Sequence, residues 1–296
     1  MWYSPAQMKL IAPRYELVLA MASDYEWLFR ESEEAFKATL EFDDILEMWR
    51  GTRELTSKLR KFLNRYPWHF DAMSHYAVCK DEDGRTLDAL AFAQTAVSYA
   101  KAGFPADFEK GEHKIPGGFM ENRPFLRSLY NLMTIQASIG DHSGAIVTGF
   151  EILDYDLQDR MGARLELPKY LLWEKRYLEI IQLFEDESFE DTFYTAEYLF
   201  PLALLAVGRD DDARAKIKDC LHKPRIAKYL LNHDLPQPEP ERPYFGLISG
   251  SELEGFYFAQ EYRPHWEASP KALEILRECS GKAQTEDWPS HSSRED

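Results

Sequence analysis

Cysteine is scarce in this sequence of 296 residues. The three cysteines, Cys79, Cys220 and Cys279, stand far apart, and none belongs to a Cys-x-x-Cys pair. Secreted disulfide scaffolds and structural zinc sites need paired cysteines at short spacing. We therefore expect a protein of a reducing compartment, with no disulfide framework, no metal site and no cofactor.

Long hydrophobic runs are also missing. The longest, LFPLALLAV at residues 199–207, is about half of the roughly 20 residues that a membrane-spanning helix needs. The N-terminal segment has no basic first region, and Arg14 and Glu16 interrupt its apolar run. No signal peptide is therefore predicted. We expect a cytoplasmic protein with no membrane partner.

Positive charge is in short supply. The chain has 51 acidic and 35 basic residues, a formal net charge of −16. Such a field repels phosphate backbones, so nucleic acid is not an expected partner.

Known catalytic signatures are absent as well. The sequence has no glycine-rich phosphate loop, HExxH or GxSxG, and no catalytic residue is predicted. Asp71, His75 and Cys79 stand four residues apart, a helical spacing that suits zinc if a further ligand joins them. The favoured interpretation is a first-turn aspartate, a surface histidine and a core cysteine.

A spaced pair of small residues recurs along the chain. A glycine is followed five residues later by an alanine in three places: Gly84 and Ala89, Gly140 and Ala145, and Gly208 and Ala213. The 68 residues between the last two glycines make two periods of about 34, and a degenerate copy is expected between them at residues 175–180. The longer first interval predicts an insertion, which the Gly- and Pro-rich segment 101–124 supplies.

On this pattern the chain resembles tetratricopeptide-repeat (TPR) proteins. The glycine would end the first helix of a pair in a left-handed conformation, and the alanine would let the paired helices approach closely. The predicted fold is all-α, a TPR-like helix-turn-helix solenoid, whose groove is lined by the first helix of each pair. Pro168 and Pro201 fall inside first helices and predict kinks or restarts there.

The solenoid is predicted over residues 53–234, with the insertion at 101–124. Before it, residues 1–52 are expected to form a helical extension of two or three helices. After it, four prolines predict a Pro-rich linker at 235–249. Capping helices are expected at 250–279, and a polar, disordered tail at 280–296.

Motifs toward the C-terminus carry a second resemblance. The run KPRIAKYLLNHDLPQP, followed by GSELEGFYFAQEYRPHW and KALEIL, is similar to the C-terminal part of the suppressor-of-tumorigenicity-seven family. The segment ENRPF at residues 121–125 is similar to uncharacterised bacterial TPR-like proteins. Neither resemblance implies catalytic residues.

The predicted binding residues line the groove. Arg123 and Arg127 stand four apart at a helix start, whose partial positive charge adds to theirs, and we expect them to bind an acidic segment of a partner. The alternative is that the protein's own acidic residues neutralise both arginines, with Asn122 capping the helix. The repeat register adds Tyr130, Asn131, Thr134, Lys169 and Tyr198. Asn131 alone matches the residues with which some TPR proteins hold chaperone tails, so that function is not predicted.

These features predict a non-enzymatic interaction protein that binds a peptide or a partner subunit in the groove. One alternative is an enzyme with a small-molecule pocket near the C-terminal helices. The other is a structural subunit that oligomerises through its end repeats.

Overall fold

The computed structural model describes residues 14–21, 23–48, 50–185, 196–240, 248 and 250–283. This part of the chain is mostly helical, with thirteen α-helices, two short 3-10 helices and one two-stranded sheet. The all-α prediction is confirmed in this coarse form. None of the described helices has both the length and the apolar character that a membrane crossing requires.

The chain divides into two compact units, Met1–Tyr170 and Leu171–Asp296. The described elements of the first unit are β1 (Tyr15–Leu19), β2 (Trp27–Glu31), α1 (Glu33–Glu47), α2 (Thr52–Arg65), α3 (Phe70–Glu82), α4 (Thr86–Lys101), a 3-10 turn (Met120–Asn122), α5 (Arg123–Ser138) and α6 (His142–Tyr155). Helix α7 (Ala163–Trp173) runs across the boundary between the units.

In the described residues 14–21 and 23–48 the N-terminal segment forms a β-hairpin followed by one helix, and the sequence did not predict the hairpin. The prediction of two or three helices also covers residues 1–13, which lie outside the described residues. Strands β1 and β2 pair antiparallel, with Tyr15 opposite Glu31 and Leu17 opposite Phe29. Buried and less buried residues alternate along both strands, which is the two-residue period of a strand. The acidic stretch after them does form a helix, because Ser32 caps α1 by accepting a hydrogen bond from the Ala35 amide.

The predicted turns between paired helices are present. Gly84, Gly140 and Gly208 all have positive φ, and Lys175 adopts the same left-handed conformation where the degenerate copy lacks glycine. Ala89, Ala145 and Ala213 are fully buried. Helix α3 packs on α4 and α5 on α6, and the short turns make each pair antiparallel.

The two predicted prolines act differently. Pro168 lies inside α7, as predicted. Pro201 lies in the first turn of its helix, which begins only at Phe200, where a proline has no hydrogen bond to lose. The fourth predicted repeat therefore restarts its helix instead of bending it.

The insertion at 101–124 packs against the hairpin. The Leu17 amide donates to Gly103 O (2.9 Å), and the Trp27 amide donates to Lys114 O (2.8 Å). Aromatic rings fill the space behind these contacts, with Phe29 and Phe125 5.2 Å apart between centroids. The high aromatic content is thus used in part to join hairpin, insertion and α5. Further rings of this core include Phe104, Phe108 and Tyr155.

The second unit contains α8 (Tyr177–Glu185), a 3-10 turn (Ala196–Tyr198), α9 (Phe200–Ala206), α10 (Asp210–Cys220), α11 (Pro224–Leu231), α12 (Glu252–Glu267) and α13 (Pro270–Ala283). Helix α12 packs on α11, and α13 packs on α9 and α10. Trp266 is fully buried, whereas Tyr257 is exposed. Residues 235–240 of the predicted linker have no helix or strand. Most of the remaining linker and most of the predicted tail lie outside the described residues.

Candidate binding site

Helix α5 carries four of the predicted binding residues along one face, and two of them, Arg127 and Asn131, contact α3. Arg127, Tyr130, Asn131 and Thr134 are all partly exposed, and their spacing of three and four residues places them along one face of the helix. Polar contacts join this row to α3 at both ends. They run from Arg127 to Asp71, from Asn131 Nδ2 to Ser74 Oγ (2.9 Å) and from Ser138 Oγ to Asp81 Oδ1 (3.2 Å). We call these α5 residues and their α3 partners the α3–α5 polar face.

Arg127 is neutralised by the protein itself. Its Nε donates to Asp71 Oδ1 at 3.1 Å, and its Nη2 donates to Asp71 Oδ2 at 2.7 Å. Burial alone would raise the pKa of Asp71. The hydrogen bonds and charges of His75 and Arg127 outweigh burial and hold that pKa at about 2. The structure therefore favours the alternative interpretation of this arginine over an open site for an acidic ligand.

Arg123 and Asn122 have structural partners that differ from those expected. Arg123 Nε donates to Gly117 O at 3.1 Å in the insertion, whereas Arg127 bonds to Asp71 of α3, so the two arginines have different partners. Asn122 is fully buried and does not cap α5. Its amide instead bonds to Phe29 and Trp27 of β2.

Lys169 and Tyr130 lie among acidic groups of the first unit. Lys169 forms an ion pair with Glu166 on the same helix and lies 5.2 Å from the centre of the Tyr170 ring. Burial raises the pKa of Tyr130 to about 12, with the charges of Glu166 and Asp159 adding to the shift. The cation predicted for this part of the groove is thus already paired.

Tyr198 is a core residue of the second unit, and its assignment to a binding face is wrong. Its side chain is fully buried, and its hydroxyl lies 2.9 Å from the carbonyl oxygens of Cys220 and Lys223. Because α9 begins only at Phe200, Tyr198 falls in the preceding 3-10 turn. The repeat register that placed it in a groove is lost at this point.

The three proposed zinc ligands do not form a metal site. The carboxylate of Asp71 forms a salt bridge with Arg127, and the side chain of Cys79 is buried. In the described part of the chain no three His, Cys, Asp or Glu side chains are arranged to hold a metal ion.

Sequence reasoning missed a polar network around Asp71, formed by residues from four elements. Thr39 Oγ1 of α1 donates to Glu31 Oε1 of β2 at 2.8 Å and lies 3.2 Å from His69 Nε2. His75 Nδ1 lies 3.0 Å from Asp71 O and 3.4 Å from Asp71 Oδ1. The sequence signals only the helical spacing of Asp71 and His75, because Glu31, Thr39 and Arg127 reach this place through contacts between residues far apart in the chain.

The protonation of His69 excludes one kind of catalysis. Its Nδ1 accepts a hydrogen bond from the Ala72 amide at 3.2 Å, so the proton of the neutral ring lies on Nε2 and points to Thr39. Burial lowers the pKa of His69 to about 4, which keeps the ring neutral. The ring has no free lone pair toward the hydroxyl, and it cannot activate Thr39 as a nucleophile.

In comparisons with known proteins, the sequence matches no family model and no curated protein. The resemblances to TPR proteins and to the suppressor-of-tumorigenicity-seven family therefore stay predictions.

Proposed function

We propose that this protein is an interaction scaffold, whose α3–α5 polar face binds a peptide or a segment of a partner subunit. The observation that carries the proposal is the row of partly exposed side chains on α5, which contacts at both ends hold against α3. Side chains fixed on rigid helices lose little conformational entropy when a partner binds, so such a row favours association.

Asn131 gives the face its means of recognising a peptide backbone. One of its two amide hydrogens points to Ser74. Within the described residues its carbonyl oxygen makes no hydrogen bond, which leaves one donor and one acceptor on the same planar group. This pair matches the N–H and C=O of an extended peptide. Tyr130, one residue earlier, adds a half-buried aromatic ring beside it.

The same proposal includes a TPR-like solenoid over residues 53–234, acting in the cytoplasm. Left-handed turns at Gly84 and Gly140, together with the buried Ala89 and Ala145, support it in the first unit. The free cysteines fit a reducing compartment.

Site-specific photocrosslinking in the full-length chain tests the proposal. A photoreactive amino acid replaces Thr134 on the polar face, or Thr95 on α4 as a control. Both threonines bond back to a carbonyl of their own helix, so the two substitutions disturb the chain alike. After irradiation in an extract of the native host, we expect a defined adduct from position 134 alone. Identical adducts from both positions, or no adduct from position 134, would contradict the proposal.

A further inference from the structure

Helix α2 is basic in a protein that is strongly acidic. Its sequence, TRELTSKLRKFLNR, has five arginines and lysines and one acidic residue, although the whole chain has a formal net charge of −16. Two of these cations form ion pairs, one with Glu41 of α1 and one with Glu54 of α2 itself. The other three, Arg53, Arg60 and Lys61, are exposed and form no ion pair with any described residue. We call these three residues the basic strip of α2.

The neighbouring helix α1 has the opposite charge at its C-terminal end. Asp44 and Glu47 are exposed there, and neither forms an ion pair in the part of the chain that the structure describes. We call this pair the acidic strip of α1. A helix C-terminus has a partial negative charge, which favours cations and disfavours carboxylates, yet the last turn of α1 has no basic residue. Lys58 of α2 donates to Met48 O at 3.5 Å, but it also pairs with Glu54.

The two strips lie at the same height on antiparallel helices. Arg65 at the end of α2 pairs with Glu41 in α1, whereas Lys58, earlier in α2, reaches Met48 at the end of α1. Counted from the Arg65–Glu41 pair with a rise of about 1.5 Å per residue in both helices, the acidic strip lies level with residues 59–62 of α2. That range includes two members of the basic strip.

Opposite charges at one height on neighbouring helices make this surface complementary to itself. A two-fold axis parallel to α1 and α2, placed over the groove between them, exchanges the two helices and preserves their heights. A second copy turned about this axis sets its basic strip against the acidic strip of the first copy. Its acidic strip meets the basic strip of the first copy in the same way, as an isologous contact requires. Like charges do not face each other in this arrangement.

Two large apolar side chains extend the same side of α1. Phe36 is 55% exposed and Leu40 is 51% exposed, and the spacing of four residues continues from them to Asp44. Neighbouring apolar side chains that both face water are typical of contact surfaces, whereas single ones are ordinary. Their burial against a partner would favour association.

The mixture of charges selects the partner. Nucleic acid or an anionic membrane would meet the basic strip, but it would also meet the acidic strip beside it and be repelled. A second copy of the chain satisfies both strips at once. Because charges are screened within about 8 Å at physiological ionic strength, the contacts at the interface outweigh the repulsion between the more distant acidic residues of the two copies.

We propose that the chain forms a dimer through α1 and α2, in which the acidic strip of each copy lies against the basic strip of the other. The dimer does not depend on peptide binding by the α3–α5 polar face. It adds an association between identical chains to the association with a different partner.

Sedimentation velocity of the full-length chain over a range of concentrations tests this contact. We expect a monomer–dimer equilibrium that becomes about tenfold weaker when the salt concentration rises from about 50 mM to about 500 mM, because salt screens surface charges. A chain that stays monomeric at every concentration in low salt would overturn the proposal. Binding of such a monomer to anionic vesicles or to an acidic peptide would identify a different partner for the basic strip.

Charge reversal assigns the contact to the two strips. Arg60→Glu with Lys61→Glu makes both helices acidic at this height, and Asp44→Lys with Glu47→Lys makes both basic. Each double variant alone should be monomeric at concentrations at which the wild type is dimeric. An equimolar mixture of the two double variants should form dimers again, because both contacts of the mixed pair join opposite charges.

A control variant separates the strips from the net charge. Asp107→Lys with Glu112→Lys makes the same change of charge as the α1 variant, at exposed acidic residues of the insertion, and should leave the dimer intact. Thermal midpoints close to that of the wild type show that all three double variants fold. Dimers formed by either strip variant alone, or a mixture that stays monomeric, would overturn the proposal. Loss of the dimer in the control would also overturn it, because net charge alone would then explain the result.

Discussion

The side-chain oxygen of Asn122 accepts a hydrogen bond from the backbone amide of Phe29 at 3.0 Å. Its amide nitrogen donates to Trp27 O at 2.9 Å and to Pro116 O at 3.0 Å. One buried side chain thus pairs with an edge of β2 as a neighbouring strand would. It also ties the hairpin to the insertion and to the start of α5.

We expect Asn122→Ala to destabilise the protein by about 2–4 kcal/mol, because it leaves buried backbone groups without their partners. Urea unfolding measures the change. Asn64→Ala removes an exposed asparagine from α2 and should cost no more than about 0.5 kcal/mol. Equal unfolding midpoints for the two variants would show that the Asn122 contacts contribute little.

Arg127→Met should destabilise the protein by about 3–5 kcal/mol, since it removes the two hydrogen bonds and the charge that Arg127 gives to the buried carboxylate of Asp71. Lys58→Met is the matched control, because Lys58 pairs with Glu54 on the surface of α2, where solvent screens the charges and such pairs contribute little to stability. Adding Asp71→Asn to Arg127→Met should recover part of the loss. A double variant that is less stable than Arg127→Met alone would contradict this account of the pair.

His69 should make stability depend on pH. Its pKa in the folded protein, about 4, lies below the ordinary value of 6.5 that it regains on unfolding. The unfolded chain therefore binds more protons between these values, and stability falls as the pH falls through this window. We expect a loss of about 2 kcal/mol from this residue between pH 7.5 and 5.

Comparison with His69→Gln isolates that contribution, because Glu31 and Asp43, whose pKa values are raised, act in the opposite direction. Urea unfolding at several pH values should show a smaller loss on acidification in the variant. If the variant and the wild type lose the same free energy, His69 is not held neutral by burial.

Ala145→Trp tests the packing of the α5–α6 pair. Ala145 is fully buried, and overpacking at such a position costs about 1–3 kcal/mol or more. Val147→Trp places the same side chain on the exposed side of α6, where Val147 is 65% exposed. We expect the thermal midpoint to drop for the first variant and to stay within a few degrees of wild type for the second. The reverse order would contradict the assigned register.

Local signals explain what the sequence predicts well. Gly140 and Asp141 mark a helix end and the next helix start, and Asp141 does accept a hydrogen bond from the Gly144 amide at 2.9 Å. Such signals act within a few residues, so the turns and the paired helices could be predicted from the sequence without knowledge of tertiary contacts.

Long-range contacts explain what the sequence does not predict. Tyr15 and Glu31 meet only because two short strands pair, and their apolar runs do not distinguish strand from helix. Asn122 acts on a residue 93 positions earlier. The arginines were predicted at a helix start, but their partners Asp71 and Gly117 lie on other parts of the chain. The local sequence around an arginine therefore does not show whether a distant residue neutralises it.

The central claim is that the α3–α5 polar face binds a peptide backbone, and calorimetric titration of one peptide against two variants tests it most directly. The peptide is the segment that crosslinks at position 134. Asn131→Ala removes the free donor and acceptor of the face, whereas Gln94→Ala removes an exposed amide from α4. We predict about tenfold weaker binding for Asn131→Ala, the loss of about 1–2 kcal/mol of hydrogen bonding, and unchanged binding for Gln94→Ala. Equal affinities for the two variants, with both folded as wild type, would contradict the claim.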